Sequence, residues 1–113
     1  MKLPLILIEL DSFDVTLCSS LGEAELEIEP PDVDCCEVFD AEGLVIDKFV
    51  NEKKERFLFF EQVKQTVKLS PSVLHQEERL RSLLLEHLRK TGKPPNDLET
   101  SLDALISLIK LEH

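Results

Sequence analysis

The first apolar run, "LILIEL" at residues 5–10, is nearly continuous. The run suits a strand buried on both faces or a short buried helix, and Pro4 before it and Asp11-Ser12 after it favour the strand. In "FDVTLC" the pattern changes to alternation, with Phe13, Val15 and Leu17 separated by Asp14 and Thr16. That period of two predicts a strand with one face on a core, paired antiparallel to the first. The period then lengthens. In "SSLGEAELEIEPP", Ser20 and Glu23 form a capping box, Leu21, Ala24 and Ile28 fall on one helical face, and Pro30-Pro31 stop the helix.

"CCEVFDAEGLVIDKFV" predicts a hairpin, with "DAEG" as a turn between β-branched and aromatic runs. Asp40 supplies a carboxylate for turn amides, and Gly43 supplies a residue free to take a left-handed conformation. "NEKKER" reads as a polar connection, and residues 56–69 as a strand, although Phe59, Phe60, Val63 and Val67 also satisfy a helical stripe. Ser70-Pro71 ends that strand, and Ser72 caps a helix over residues 73–90 with Leu80, Leu83, Leu84 and Leu88 as its apolar stripe. Gly92 and Pro94-Pro95 close it, and Asn96 with Glu99 opens a last helix carrying Leu98, Leu102, Leu105, Ile106 and Ile109. The expected fold is α+β: a small, mainly antiparallel sheet in the order β-β-α-β-β-β-α-α, with the C-terminal helices packed on one face.

Composition narrows the class. The chain has 113 residues, 42% of them hydrophobic and 32% charged, which fits one folded domain over residues 1–110 and neither a disordered nor a membrane-spanning chain. The terminal "LEH", residues 111–113, reads as an expression-tag remnant. The N-terminal apolar run is too short to span a bilayer and lacks the features of a secretion signal, which points to the cytoplasm. Three cysteines, two of them adjacent, suit free thiols in a reducing compartment.

Charge is distributed unevenly. Residues 1–50 hold 13 acidic and two basic side chains, a net of −11, and residues 51–113 are nearly balanced at +1. Residues 29–43, "EPPDVDCCEVFDAEG", carry six carboxylates without a base. A calcium loop begun at Asp32 fails: Cys36 takes its fifth position, Glu37 the sixth, where Gly is needed, and Gly43 the twelfth, where a bidentate Glu is needed. Cys35 and Cys36 in an extended segment point to opposite faces, and no CxxC or CxH spacing is present, so no metal site is expected. His75 and His87 do not converge on a helix, and "HQEER" is not a zinc-protease motif, so both read as surface or boundary residues. Neither a nucleophile elbow nor a phosphate-cradling glycine loop occurs, and no catalytic residue or cofactor is expected.

The stretch "SLGEAELEIEPPDV…VFDAEG", Ser20 to Gly43, resembles a pattern recurring in small uncharacterised bacterial proteins, a resemblance that implies a shared fold and not an activity. In bulk properties the chain is similar to the acidic immunity proteins with which bacteria neutralise toxic, often basic, nucleases. That similarity implies a non-enzymatic binding module. The acidic half would repel nucleic acid and anionic membranes and steer a basic protein partner, with Glu23, Glu27, Glu29, Asp32, Asp34 and Glu37 as the partner-binding residues. The alternative is a small enzyme or ligand-binding domain using carboxylates, with Cys36 or His75, in a cleft between sheet and helices. The expected assembly is a monomer or a weak homodimer through the leucine stripes of the C-terminal helices.

Overall fold

In the computed structural model, which describes residues 1–92 and 101–111 (Phe57 by its backbone alone), the first apolar run forms β1 (Leu5–Glu9) near the middle of a five-stranded sheet. β2 (Val15–Cys18) and β3 (Cys36–Phe39) flank β1, both antiparallel to it, with Leu5 opposite Cys18 and Ile6 opposite Phe39. β4 (Leu44–Phe57) follows β3, and β5 (Phe60–His75) forms the outer edge, giving the order β2-β1-β3-β4-β5. Helix α1 (Leu21–Glu27) and a 3-10 turn (Pro30–Cys35) lie between β2 and β3 in the chain; α2 (Glu77–Lys90) and α3 (Leu102–Lys110) complete it. The expected α+β order is the observed one.

Every β1 residue but the last is buried, and for a simple reason: both faces of the strand are covered. Ile6 and Ile8 meet Phe39 and the inner leucines of α2 and α3, among them Leu80, Leu84, Leu88 and Leu105. Leu5 and Leu7 point the other way, into a second cluster with Val38, Ile46 and Leu69 under Ala24 and Ile28. Each such side chain contributes about 1.5–3 kcal/mol by leaving water. The described stripe residues of both C-terminal helices lie in this core.

Local chemistry explains the joints. The carboxylate of buried Asp40 accepts from Glu42 N (2.8 Å) and Leu44 N (2.9 Å) within the turn, and from Lys2 N (2.9 Å) across it. Burial opposes its ionisation, but those three amides together hold its pKa below the ordinary carboxylate value. Gly43 has φ +88°, and a Cβ there would lie 2.7 Å from Glu77 Cα, so the turn and the start of α2 touch through the missing side chain. Gly43 O then accepts from Gln76 N (2.8 Å), which fixes where α2 begins.

Four expectations need correction. The strand expected over residues 56–69 is divided: Arg56 and Phe57 end β4, the chain turns at Leu58 and Phe59, and β5 starts at Phe60. The sheet does not end at Ser70-Pro71, and α2 does not begin at residue 73: β5 runs through Pro71 to His75. Proline is tolerated because β5 is the edge strand, and Ser72 caps nothing in α2 but donates to Val45 O (2.7 Å). "NEKKER" is not a connection but part of β4. His87 is not a surface residue; it is 6% exposed, its Nδ1 lying 2.9 Å from the carbonyl of Phe13, a residue at φ 58°. Lys90 donates to Ser12 O and Asp14 Oδ1, both at 2.7 Å, so the last turn of α2 grips the β1–β2 turn. The start expected for the last helix, at Asn96, lies outside the described residues; α3 itself is capped by Ser101 Oγ accepting from Ala104 N (3.3 Å).

Strands β4 and β5 are 14 and 16 residues long, against five in β1 and four each in β2 and β3. Beyond Ile46 they leave the sheet as a two-stranded arm, paired in register from Val50 with Val67 to Phe57 with Phe60. The molecule is therefore 61 Å long, and its radius of gyration is 16.2 Å. A compact chain of this length would have about 13 Å.

Candidate acidic binding patch

Ser20 starts α1 as its sequence requires, its Oγ accepting from Glu23 N (3.1 Å). The Glu23 carboxylate reaches back to Ser19, accepting from its backbone N (3.1 Å) and its hydroxyl, and these bonds lower its pKa. The helix ends at Ile28, and Pro30-Pro31, fixed in φ, open the 3-10 turn that brings the chain back to the sheet. Leu10 N donates to Cys35 O (2.9 Å), locking that turn to the end of β1.

This return path encloses a cavity of about 170 Å³. Leu7, Ile28 and Cys36, all buried, supply its apolar lining, and Glu9, Asp11, Glu27, Glu29 and Asp32 supply five exposed carboxylates around it. Among the described residues none of the five makes an ion pair. The five acidic residues therefore surround a small apolar floor. The combination suits the ammonium or guanidinium of a side chain whose alkyl stem lies on that floor.

The cysteines divide as their positions dictate. Cys35 is exposed beside the patch, while Cys18 and Cys36 are buried and all three are free thiols. Burial, helped by Glu23 and Glu27, pushes the Cys18 thiol up to about 11. Burial also raises Cys36, whose Sγ lies 3.8 Å from Val33 O as a weak donor. Among the described residues no three His, Cys, Asp or Glu side chains are grouped to hold a metal ion.

Of the six residues singled out in the sequence, the structure gathers Glu27, Glu29 and Asp32 around the cavity. Glu23 is held in the α1 cap, and exposed Asp34 sits on the 3-10 turn outside the cavity lining. Glu37 lies elsewhere: the register that places Val38 against Leu7 turns Glu37 to the opposite face, where it accepts from Arg79 Nε (2.7 Å) and raises the Arg79 pKa. Glu9 and Asp11 escaped sequence reasoning because they lie about twenty residues upstream of Glu29 and Asp32. Their only signal was position, at the end of a buried strand whose neighbour is the acidic return. His75 lines a different cavity, with Lys2, Glu42 and Asp103. Comparison with protein-family models, curated proteins and solved structures finds no match for this chain.

Proposed function

We propose that the chain is a non-enzymatic protein-binding module that receives a basic partner on this patch, in the manner of an inhibitor or immunity-type protein. The observation that carries the reading is one cavity with an apolar floor lined by five acidic residues, none of which makes an ion pair among the described residues. At about 170 Å³ the cavity is below the roughly 300–1,000 Å³ of ordinary small-molecule sites, which favours a single side chain over a metabolite. The acidic half disfavours phosphate backbones and anionic lipid, and it raises the encounter rate with a cationic protein. No helix among the described residues is long and apolar enough to cross a membrane. We place the protein in the cytoplasm, where its three free thiols stay reduced.

The test is a pull-down from host lysate with the tagged chain and with a Glu29→Lys, Asp32→Lys variant, washed at low and then high salt. The expected result is a basic protein held by the native chain, released by salt and absent from the variant. A partner held equally by both chains, or indifferent to salt, would refute the role of the patch.

A further inference from the structure

The turn between β1 and β2, Leu10 to Asp14, reaches both faces of the sheet. On the α1 side, Asp11 and the adjoining Glu9 line the acidic cavity. On the other side, Phe13 packs against the core cluster that holds the inner leucines of α2 and α3. The backbone of Phe13 is at φ 58°. That left-handed conformation is an outlier for a bulky side chain, and it persists only where the surroundings impose it.

The last turn of α2 imposes it. His87 Nδ1 lies 2.9 Å from Phe13 O, and because a carbonyl can only accept, that nitrogen carries a proton and donates it. Lys90 Nζ donates to Ser12 O and to Asp14 Oδ1, both at 2.7 Å. Two consecutive carbonyls of the turn are therefore held from one helix. Inside the turn, Phe13 N donates to Glu9 O (2.8 Å) and Glu9 N to Asp14 O (3.0 Å). Ser12 Oγ donates to Glu9 Oε2 (3.3 Å). Ser12 thus joins the two sides: Lys90 fixes its carbonyl, and its hydroxyl holds a carboxylate that lines the cavity.

We infer that His87 and Lys90 are positioning residues of the acidic site: from the α2 side of the sheet they fix the β1–β2 turn in the conformation that brings Glu9 and Asp11 to the cavity. The inference rests on that cavity receiving a basic side chain of a partner, as proposed above. Its consequence runs against simple electrostatics. Lys90 is itself a cation, so its charge opposes the uptake of another, and by charge alone its removal would tighten binding. Because Lys90 acts by holding the turn, its removal loosens binding instead.

The experiment is a titration of the full chain with n-butylguanidinium, which carries the guanidinium and alkyl stem of an arginine, followed by backbone amide NMR shifts at constant ionic strength. In the native chain the shifts should saturate and centre on the segments that line the cavity, Glu9 to Asp11 and Glu27 to Asp32. Lys90→Met should weaken uptake by about three- to tenfold, with the amides of the β1–β2 turn displaced before any ligand is added, and Lys90→Arg should restore both. Arg89→Met removes the same charge from the same helical turn, where Arg89 pairs with Glu86, and should not weaken uptake. His87→Leu should act as Lys90→Met does, and His87→Asn, whose side-chain amide can donate to Phe13 O, should recover part of the loss. In a Glu9→Gln, Asp11→Asn background, Lys90→Met should make no further difference. Unchanged or tighter uptake by Lys90→Met, or turn amides that keep their native shifts in both Lys90→Met and His87→Leu, would overturn the inference and leave the cavity as a binding site. A native chain that takes up no butylguanidinium would overturn the cavity's role and the inference with it.

Discussion

The body and the arm are built from the same kind of strand but held by different things. In β1 both faces are covered, and Leu5 to Ile8 are buried by α1 on one side and by α2 and α3 on the other. In the arm, from Val50 to Val67, the strands have only each other, and apart from Val67 at its root no side chain described there is buried. Stability therefore resides in the body, and the arm is free to carry contacts that the body does not need. The lesson is that strand length alone says little about what holds a strand; coverage of its faces decides.

Mutations should separate the two regions by size of effect. Leu84→Ala, at 0% exposed between the sheet and α3, should cost about 3 kcal/mol in urea unfolding. Gly43→Ala adds a Cβ against Glu77 backbone at a left-handed φ and should cost about 2 kcal/mol, seen as a lowered urea midpoint. Asp40→Ala strands three backbone donors and should cost about 1–2 kcal/mol. The sign of its pH effect follows from a folded-state pKa lower than the unfolded one. The stabilisation is full above about pH 5 and fades as pH falls through the depressed folded value, so the difference between native chain and variant should shrink in acid. Glu37→Gln breaks a partly exposed ion pair with Arg79 and should cost at most about 1 kcal/mol, less in high salt. Phe59→Ala, at the tip, should change the stability of the monomer by less than about 0.5 kcal/mol.

What was legible in the sequence follows the same division. Where a face is buried, burial imprints a period: the continuous run of β1, the Ser20 cap of α1, the Asp40–Gly43 turn and the described stripe residues of α2 and α3 stand as the pattern predicts, although Glu23 closes its side of the cap on Ser19 and not on Ser20. In the arm nothing is buried to imprint one, so "NEKKER" reads as a connection although it is strand. Its turn was hidden as well, because Leu58 and Phe59 occupy positions where Asn or Gly would have announced it. The acidic patch was half visible: Glu27, Glu29 and Asp32 are close in the chain, but Glu9 and Asp11 join them only through the fold, and the side of the sheet that Glu37 takes depends on a register that charge does not reveal.

Hydrogen–deuterium exchange tests the division most directly. Amides of residues 50–66 should exchange orders of magnitude faster than those of Leu5–Glu9. Arm amides as slow as those of β1 would contradict the account, for then the arm would be held by more than the pairing of its two strands.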